Sequence, residues 1–322
     1  MRQIRTDLAI EAGEIFRANA DQTEDIPGVR TEMQKYQDVT ITRVFVENEM
    51  GERAIGKAKG TYVTLEAPRM RENDDRLHEK IADLFSVELK NIAKLTKKDT
   101  VLVVGLGNWH VTPDALGPKV TEGLIITRHL LQYDPNFKDS DVRAVCGISP
   151  GVLGITGVET MEVVKGVVER VKPTIVMVID ALASRKMERV SSTIQIADTG
   201  ISPGSGVGNK RMALNQETLG VKVIAIGVPT VVDAATIAND TIDLLLDNMQ
   251  KENAQDNALT QTLKNINRDD KYDLILQSLA PFGQQLIVTP NDVDSMIDRV
   301  SNVISDGINV AMHGKDAIPH YE

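Results

Sequence analysis

Two aspartates stand where chemistry is expected. Val101–Val104 is a run of four apolar residues that ends at Gly105 and Gly107, and the loop that follows carries Asn108, Trp109, His110 and Asp114. Thr174 to Ile179 is a second apolar run and leads directly into Asp180. Short β-branched runs without polar alternation read as strands buried on both faces, as in a parallel sheet. In open α/β sheets, ligands and chemistry collect beyond the carboxyl ends of the strands. A pair of carboxyls at such a place suits water activation. Two close carboxyls share one proton, because both cannot ionise at short range. The ionised one draws a proton from water while the protonated one polarises a carbonyl. On position alone, each aspartate serves equally well as a turn or helix cap.

The other chemical residues form weaker patterns. The five histidines, at 78, 110, 129, 313 and 320, are scattered, and no H-E-x-x-H helix exists. His110 alone falls in a candidate site loop. Gly105-Leu-Gly107 has His110 where a dinucleotide fingerprint needs its third glycine. Gly204 to Lys210 has Asn209 where a phosphate-cradling loop needs glycine, which leaves Lys210 and Arg211 to hold an anion or a substrate carboxylate. Gly147-Ile-Ser149-Pro-Gly151 spells G-x-S-x-G, but Pro150 and further glycines stand in place of the tight strand-to-helix turn. Asp233 reads as a helix cap. Cys146 is the one cysteine, so no internal disulfide is possible, and it reads as a small buried residue.

The elements that must position these residues follow from the hydrophobic pattern. Among the 322 residues 42% are hydrophobic, enough for a large core, and with only 3% aromatic that core rests on aliphatic side chains. The net charge of −10 argues against a general nucleic-acid surface. No apolar run approaches the length of a membrane span, and the N-terminus lacks an apolar signal region. Residues 1–35 read as polar and loop-like. Alternation over 39–65, with a turn at Asn48–Gly51, predicts an antiparallel hairpin or meander. Helical spacing marks 74–96, 118–132, 271–280 and 291–312. Thr156 and Glu159 have capping-box spacing, with Val164, Val167, Val168 and Val171 as the buried face of the helix that follows. Thr193–Ala197, Val221–Ile226 and Gln285–Thr289 read as strands, and 250–270 as a polar surface segment. The expectation is an α/β fold with three layers and a mostly parallel central sheet, phosphorylase/hydrolase-like, plus an antiparallel β region near the N-terminus.

Five blocks carry a resemblance: VGLGNWHVTPDALGP, SPGVLGITGVET, IDALASRKMERV, STIQIADTGISPGSGVGNKR and VIAIGVPTVVDAATIA. They are similar, in near-continuous register over about residues 95–245, to the germination protease family of endospore-forming bacteria. The likeness extends weakly to both ends, as in LIVTPNDVD. The resemblance implies an atypical aspartic-type endopeptidase related in fold to hydrogenase maturation proteases. Its implied substrates are small acid-soluble spore proteins, degraded in the spore core, which places the chain in the cytoplasm. It also implies a homotetramer made as an inactive zymogen, with Asp114 and Asp180 as the catalytic pair and no cofactor, resident metal, membrane or direct nucleic-acid partner.

The family's cleavage preference is an acidic residue, then a hydrophobic one, then alanine. Asp7-Leu8-Ala9 fits it, which implies self-cleavage between Asp7 and Leu8. The organisation expected is a propeptide over 1–7 and a single catalytic α/β domain over 8–322, with an antiparallel insertion around 39–66. Lys210 and Arg211 are candidates to read the acidic side chain before the cut, with His110 beside them. Two other readings remain open: a metal-dependent maturation-type peptidase with the aspartates as ligands, and a non-enzymatic protein that binds a small ligand in the same crevice.

Overall fold

The computed structural model describes residues 6–20, 25–134, 142–203, 211–251, 268–283 and 286–315. Its strands are β1 (Val29–Lys35), β2 (Thr40–Val46), β3 (Gly60–Glu66), β4 (Thr100–Gly105), β5 (Ala144–Ile148), β6 (Ile175–Ser184), β7 (Thr193–Ala197), β8 (Lys222–Asp233) and β9 (Ile287–Val288). They form one sheet in the order β1-β2-β3-β7-β8-β6-β4-β5, with β9 pairing the far end of β8. The β8-β6-β4-β5 half is parallel. The β1-β2-β3-β7 half is antiparallel and joins the parallel half through the β7–β8 pairing. The sheet is therefore mixed, with its parallel part confined to four strands.

Alternate residues of the parallel strands feed two cores. Val101, Val103, Met177, Ile179, Ile224 and Ile226 pack with Leu77, Ile81, Phe85 and Leu89 of α3 (Asp75–Ala93). Leu116 and Val120 of α4 (Leu116–Glu122), and Val300, Ile304 and Ile308 of the C-terminal helix Val293–His313, complete that cluster. Leu102, Val104, Val176, Val178 and Val223 point the other way, onto Val164 and Val168 of the helix Thr160–Val171 and onto Leu219. Strands buried on both faces need apolar residues at every position, which is why these runs lack alternation.

Several local expectations change. Asn48–Gly51 is not a turn between strands: Asn48 caps a helix, Glu49–Ile55, by accepting the Met50 and Gly51 N–H groups at 3.0 and 3.2 Å. The expected helix over 118–132 is two, Leu116–Glu122 and Arg128–Tyr133, broken around Gly123. The capping box uses Glu159 and Glu162, and Thr156 instead closes a short turn of helix, Leu153–Thr156. The first 35 residues contain β1 and α1 (Ala9–Ala20). Most of the polar segment 250–270 lies outside the described residues.

Candidate active site

In chain order the parallel strands β4, β5, β6 and β8 lie as second, first, third, fourth, so the winding direction reverses between β4 and β6. The crevice at such a reversal is the usual ligand site of an open α/β sheet. Asp180 is at that reversal. β6 is longer than the sequence pattern suggested, since it runs on to Ser184 where a strand end at Asp180 was expected. β4 pairs with it only as far as Gly105 opposite Ile179, and the Leu106 N–H closes the ladder on the Ile179 carbonyl at 2.8 Å. Asp180 is the next residue, opposite Gly227 on the β8 side and 6% exposed.

Asp114 reaches the same crevice by a loop folded back on itself. The Asp114 N–H bonds the Val111 carbonyl at 2.8 Å, and the Asn108 N–H bonds the Asp114 carbonyl at 3.1 Å. Pro113 lies within a single 3₁₀ turn, Thr112–Asp114, where its fixed φ suits the helical start. Gly107 makes the return possible. Its φ is +115°, and a Cβ there would stand 1.9 Å from the Asp114 carbonyl oxygen, so no other residue fits. Asp114 and Asp180 line one cavity of about 350 Å³.

Their surroundings drive both acids up. Burial raises Asp114 to about 6, against the opposing bond from the Asn108 N–H. Burial raises Asp180 well above the usual carboxylate range, and the charges of Asp114 and Asp7 push in the same direction. The charge of Asp114 thus acts on Asp180, where a like charge disfavours the ionised form.

The third acid is Asp7, which lines the same cavity as Asp114 and Asp180. Its N–H bonds the Ala183 carbonyl at 3.1 Å, and its carboxylate accepts the Ala183 N–H at 2.9 Å, so the segment pairs with the overhanging end of β6. Its carbonyl oxygen accepts from Lys57 Nζ at 2.9 Å and Gln195 Nε2 at 3.3 Å. Leu8 and Ala9 are fully buried, and the Ala9 N–H bonds Gln195 Oε1 at 2.7 Å. Glu11, also buried, accepts the Arg185 and Lys186 N–H groups at 2.7 and 3.1 Å and pairs with Arg189. The segment from Asp7 to Ala9 is therefore held along the crevice that holds the two aspartates.

Of the other candidates, Arg211 lines the cavity with Asp7. Lys210 lies outside the described residues. His110 is exposed, with its N–H on Asn108 Oδ1 at 3.0 Å, and is not among the cavity's lining residues. Ser149 is exposed. Cys146 is half-buried in β5, where burial raises its thiol and keeps it protonated. Asp233 caps the helix Ala234–Lys251 through the Ala235 and Thr236 N–H groups. Among the described residues no group of three or more His, Cys, Asp or Glu side chains is placed to hold a metal ion. Lys57 and Gln195 were not singled out from the sequence. The one signal for Gln195 was a polar residue inside the wholly buried strand TIQIA, and Lys57 carried none.

Fold and site together define an α/β protein with two aspartates lining one cavity at the winding reversal in the parallel part of a mixed sheet. The comparisons with known proteins give the family. A model of the germination protease family matches residues 9–267 and 248–318. The chain is 53% identical over 309 residues to the germination protease of Clostridium tetani, covering 96% of this chain and 95% of that protein. It is 50% identical to that of Caldanaerobacter subterraneus (96% and 94%) and 42% identical to that of Bacillus cereus (96% and 94%). A [NiFe] hydrogenase maturation protease, HycI from Thermococcus kodakarensis, aligns with 24% identity over 41% of this chain and 75% of its own, at a TM-score of 0.26. So slight a structural likeness carries no argument. This chain belongs to the germination protease family, a family of peptidases.

Proposed function

We propose that the chain is an endopeptidase of spore germination that hydrolyses peptide bonds with Asp114 and Asp180 and is made as a zymogen that cuts itself between Asp7 and Leu8. The observation that carries this reading is the convergence of Asp7, Asp114 and Asp180 on one cavity. Asp114, lower of the two shifted acids, is the base: its carboxylate takes a proton from water, whose oxygen bonds to the carbonyl carbon. Asp180 enters the reaction protonated and completes the pair. On collapse the carbon–nitrogen bond breaks, a proton passes to the leaving nitrogen, and a carboxylate and an amine are released. The substrates are small acid-soluble spore proteins, cut after Glu or Asp, before a hydrophobic residue followed by Ala, in the spore core. Arg211, with Lys210 beside it, reads the acidic side chain through charge-assisted bonds. The working form is a homotetramer.

One core on each sheet face supports a three-layer catalytic domain over 8–322, with 1–7 as the propeptide. Among the described residues no helix is long and apolar enough to cross a membrane. Incubating the full chain between pH 4 and 8 and sequencing its N-terminus tests the reading. New chains should begin at Leu8, resist a chelator, and fail to form in Asp114→Asn or Asp180→Asn. Processing that persists in both variants would remove the aspartate mechanism, and processing lost to the chelator would favour the metal-dependent alternative.

A further inference from the structure

Hydrolysis of the Asp7–Leu8 bond also needs groups that hold the charge developing on the carbonyl oxygen. A donor that is set in place beforehand and aimed at that oxygen is worth far more than one recruited from water. The Asp7 carbonyl oxygen already has two side-chain donors, Lys57 Nζ at 2.9 Å and Gln195 Nε2 at 3.3 Å. We propose that Lys57 and Gln195 form the oxyanion site of the reaction, so that they, rather than the protonated aspartate, stabilise the developing alkoxide on the Asp7 carbonyl. This rests on the peptidase reading and on its cut at Asp7–Leu8.

Four observations carry it. Gln195 holds the peptide on both sides of the bond: its Nε2 donates to the Asp7 carbonyl while its Oε1 accepts the Ala9 N–H at 2.7 Å. That two-point grip holds the Asp7 carbonyl and the following Leu8–Ala9 amide from a side chain that is 8% exposed and lies on a central strand. Lys57 also bonds the Thr6 carbonyl, at 3.1 Å, so its ammonium is located by two carbonyls of the same segment. Lys57 and Gln195 line a second cavity, of about 330 Å³, together with Asp7 and Asp180. Burial lowers the Lys57 ammonium from its ordinary range, against the charges of Asp7 and Glu11, which makes it a stronger donor than a solvated lysine.

The division of labour balances. Asp114 takes a proton from water as the water oxygen bonds to the Asp7 carbonyl carbon. The electron pair of the carbonyl goes to its oxygen, where Lys57 and Gln195 hold it. The proton of Asp180 is then free to go to the Leu8 nitrogen as the carbon–nitrogen bond breaks and the carbonyl re-forms.

The test follows the first-order appearance of the Leu8 terminus in the full chain. Lys57→Met should slow it about a hundredfold, the usual loss for one oxyanion donor, and Gln195→Leu by a similar factor. Lys57→Arg, which keeps a cation, should recover part of the rate, and so should ethylammonium added to Lys57→Ala. Docking is read separately in the Asp114→Asn background, where no cut occurs, as hydrogen-exchange protection of the amides from Asp7 to Ala12. That protection should survive Lys57→Met. A variant that keeps pace with the parent would overturn the assignment. So would a slow Lys57→Met variant whose protection is also lost, because Lys57 would then be an anchor only. A parent that never forms a Leu8 terminus removes the peptidase reading at that bond, and this inference with it, before any variant is made.

Discussion

The two halves of the sheet contribute different chemistry. The parallel half supplies the acids: Asp180 from β6 and Asp114 from the loop after β4, both raised by burial. The antiparallel half supplies groups that hold peptide backbone: Lys57 from the approach to β3, and Gln195 from β7. Asp7 lies at the seam, paired with the part of β6 that has outrun β4. A parallel sheet ends in a crevice that can bury charge, whereas a continuing antiparallel ladder offers a row of fixed polar groups. A peptidase needs both, and the β7–β8 pairing brings them together.

That division can be broken from either side. The largest effect is expected in the acid half. Asp114→Asn and Asp180→Asn should each lower the rate of Leu8 formation by about a thousandfold or more, measured by intact mass, as removal of a primary catalytic group does. Equal rates in either variant would detach chemistry from that half. Next is the seam. Arg189 binds Glu11 and Glu14 of α1 and Glu66 of β3, with Glu11 fully buried. Arg189→Met should cost about 3–5 kcal/mol in a denaturant titration, because it leaves the buried Glu11 carboxylate without its counter-charge.

The acid half should also carry a stability cost that grows as pH rises. Asp114 keeps its proton up to about pH 6 when folded but loses it near the ordinary aspartate value of 3.8 when unfolded. The folded state therefore holds more protons through that window, and stability falls as pH rises across it. Asp114→Asn should flatten this slope and stabilise the protein at pH 7 by about 1–3 kcal/mol. A variant no more stable than the parent would contradict the shift. The smallest effect concerns selectivity. Arg211→Ala with Lys210→Ala should reduce cleavage after acidic residues about tenfold relative to neutral ones, by peptide competition, and leave the denaturation midpoint unchanged.

The same contrast explains what the sequence made legible. The parallel strands announced themselves because burial on both faces demands unbroken apolar runs, and their ends located Asp114 and Asp180. β1 was invisible: six of its seven residues are exposed, so no face imposes alternation. α1 was hidden by chemistry, since its inner face carries Glu11, a charged residue where periodicity looks for an apolar one. Asn48 read as a turn residue because turns and N-caps use the same side-chain bonds. Lys57 could not be read at all, and Gln195 showed only as a polar residue inside a buried strand. Their roles come from Asp7, which lies far from both in sequence, and a lysine in a loop carries no pattern until the chain folds around it. The resemblance to the family covered the acids and the cut, but not the residues that hold the peptide.

The central claim is that Asp114 and Asp180 act as one proton-sharing pair, and the most direct test is to titrate them. Carboxyl carbon shifts of both residues, followed by NMR from pH 3 to 9, should show Asp114 titrating at about 6 and Asp180 well above the ordinary carboxylate range. In Asp114→Asn the Asp180 midpoint should fall, because a repelling charge is gone. Ordinary, independent midpoints for both, unmoved by the substitution, would contradict the account.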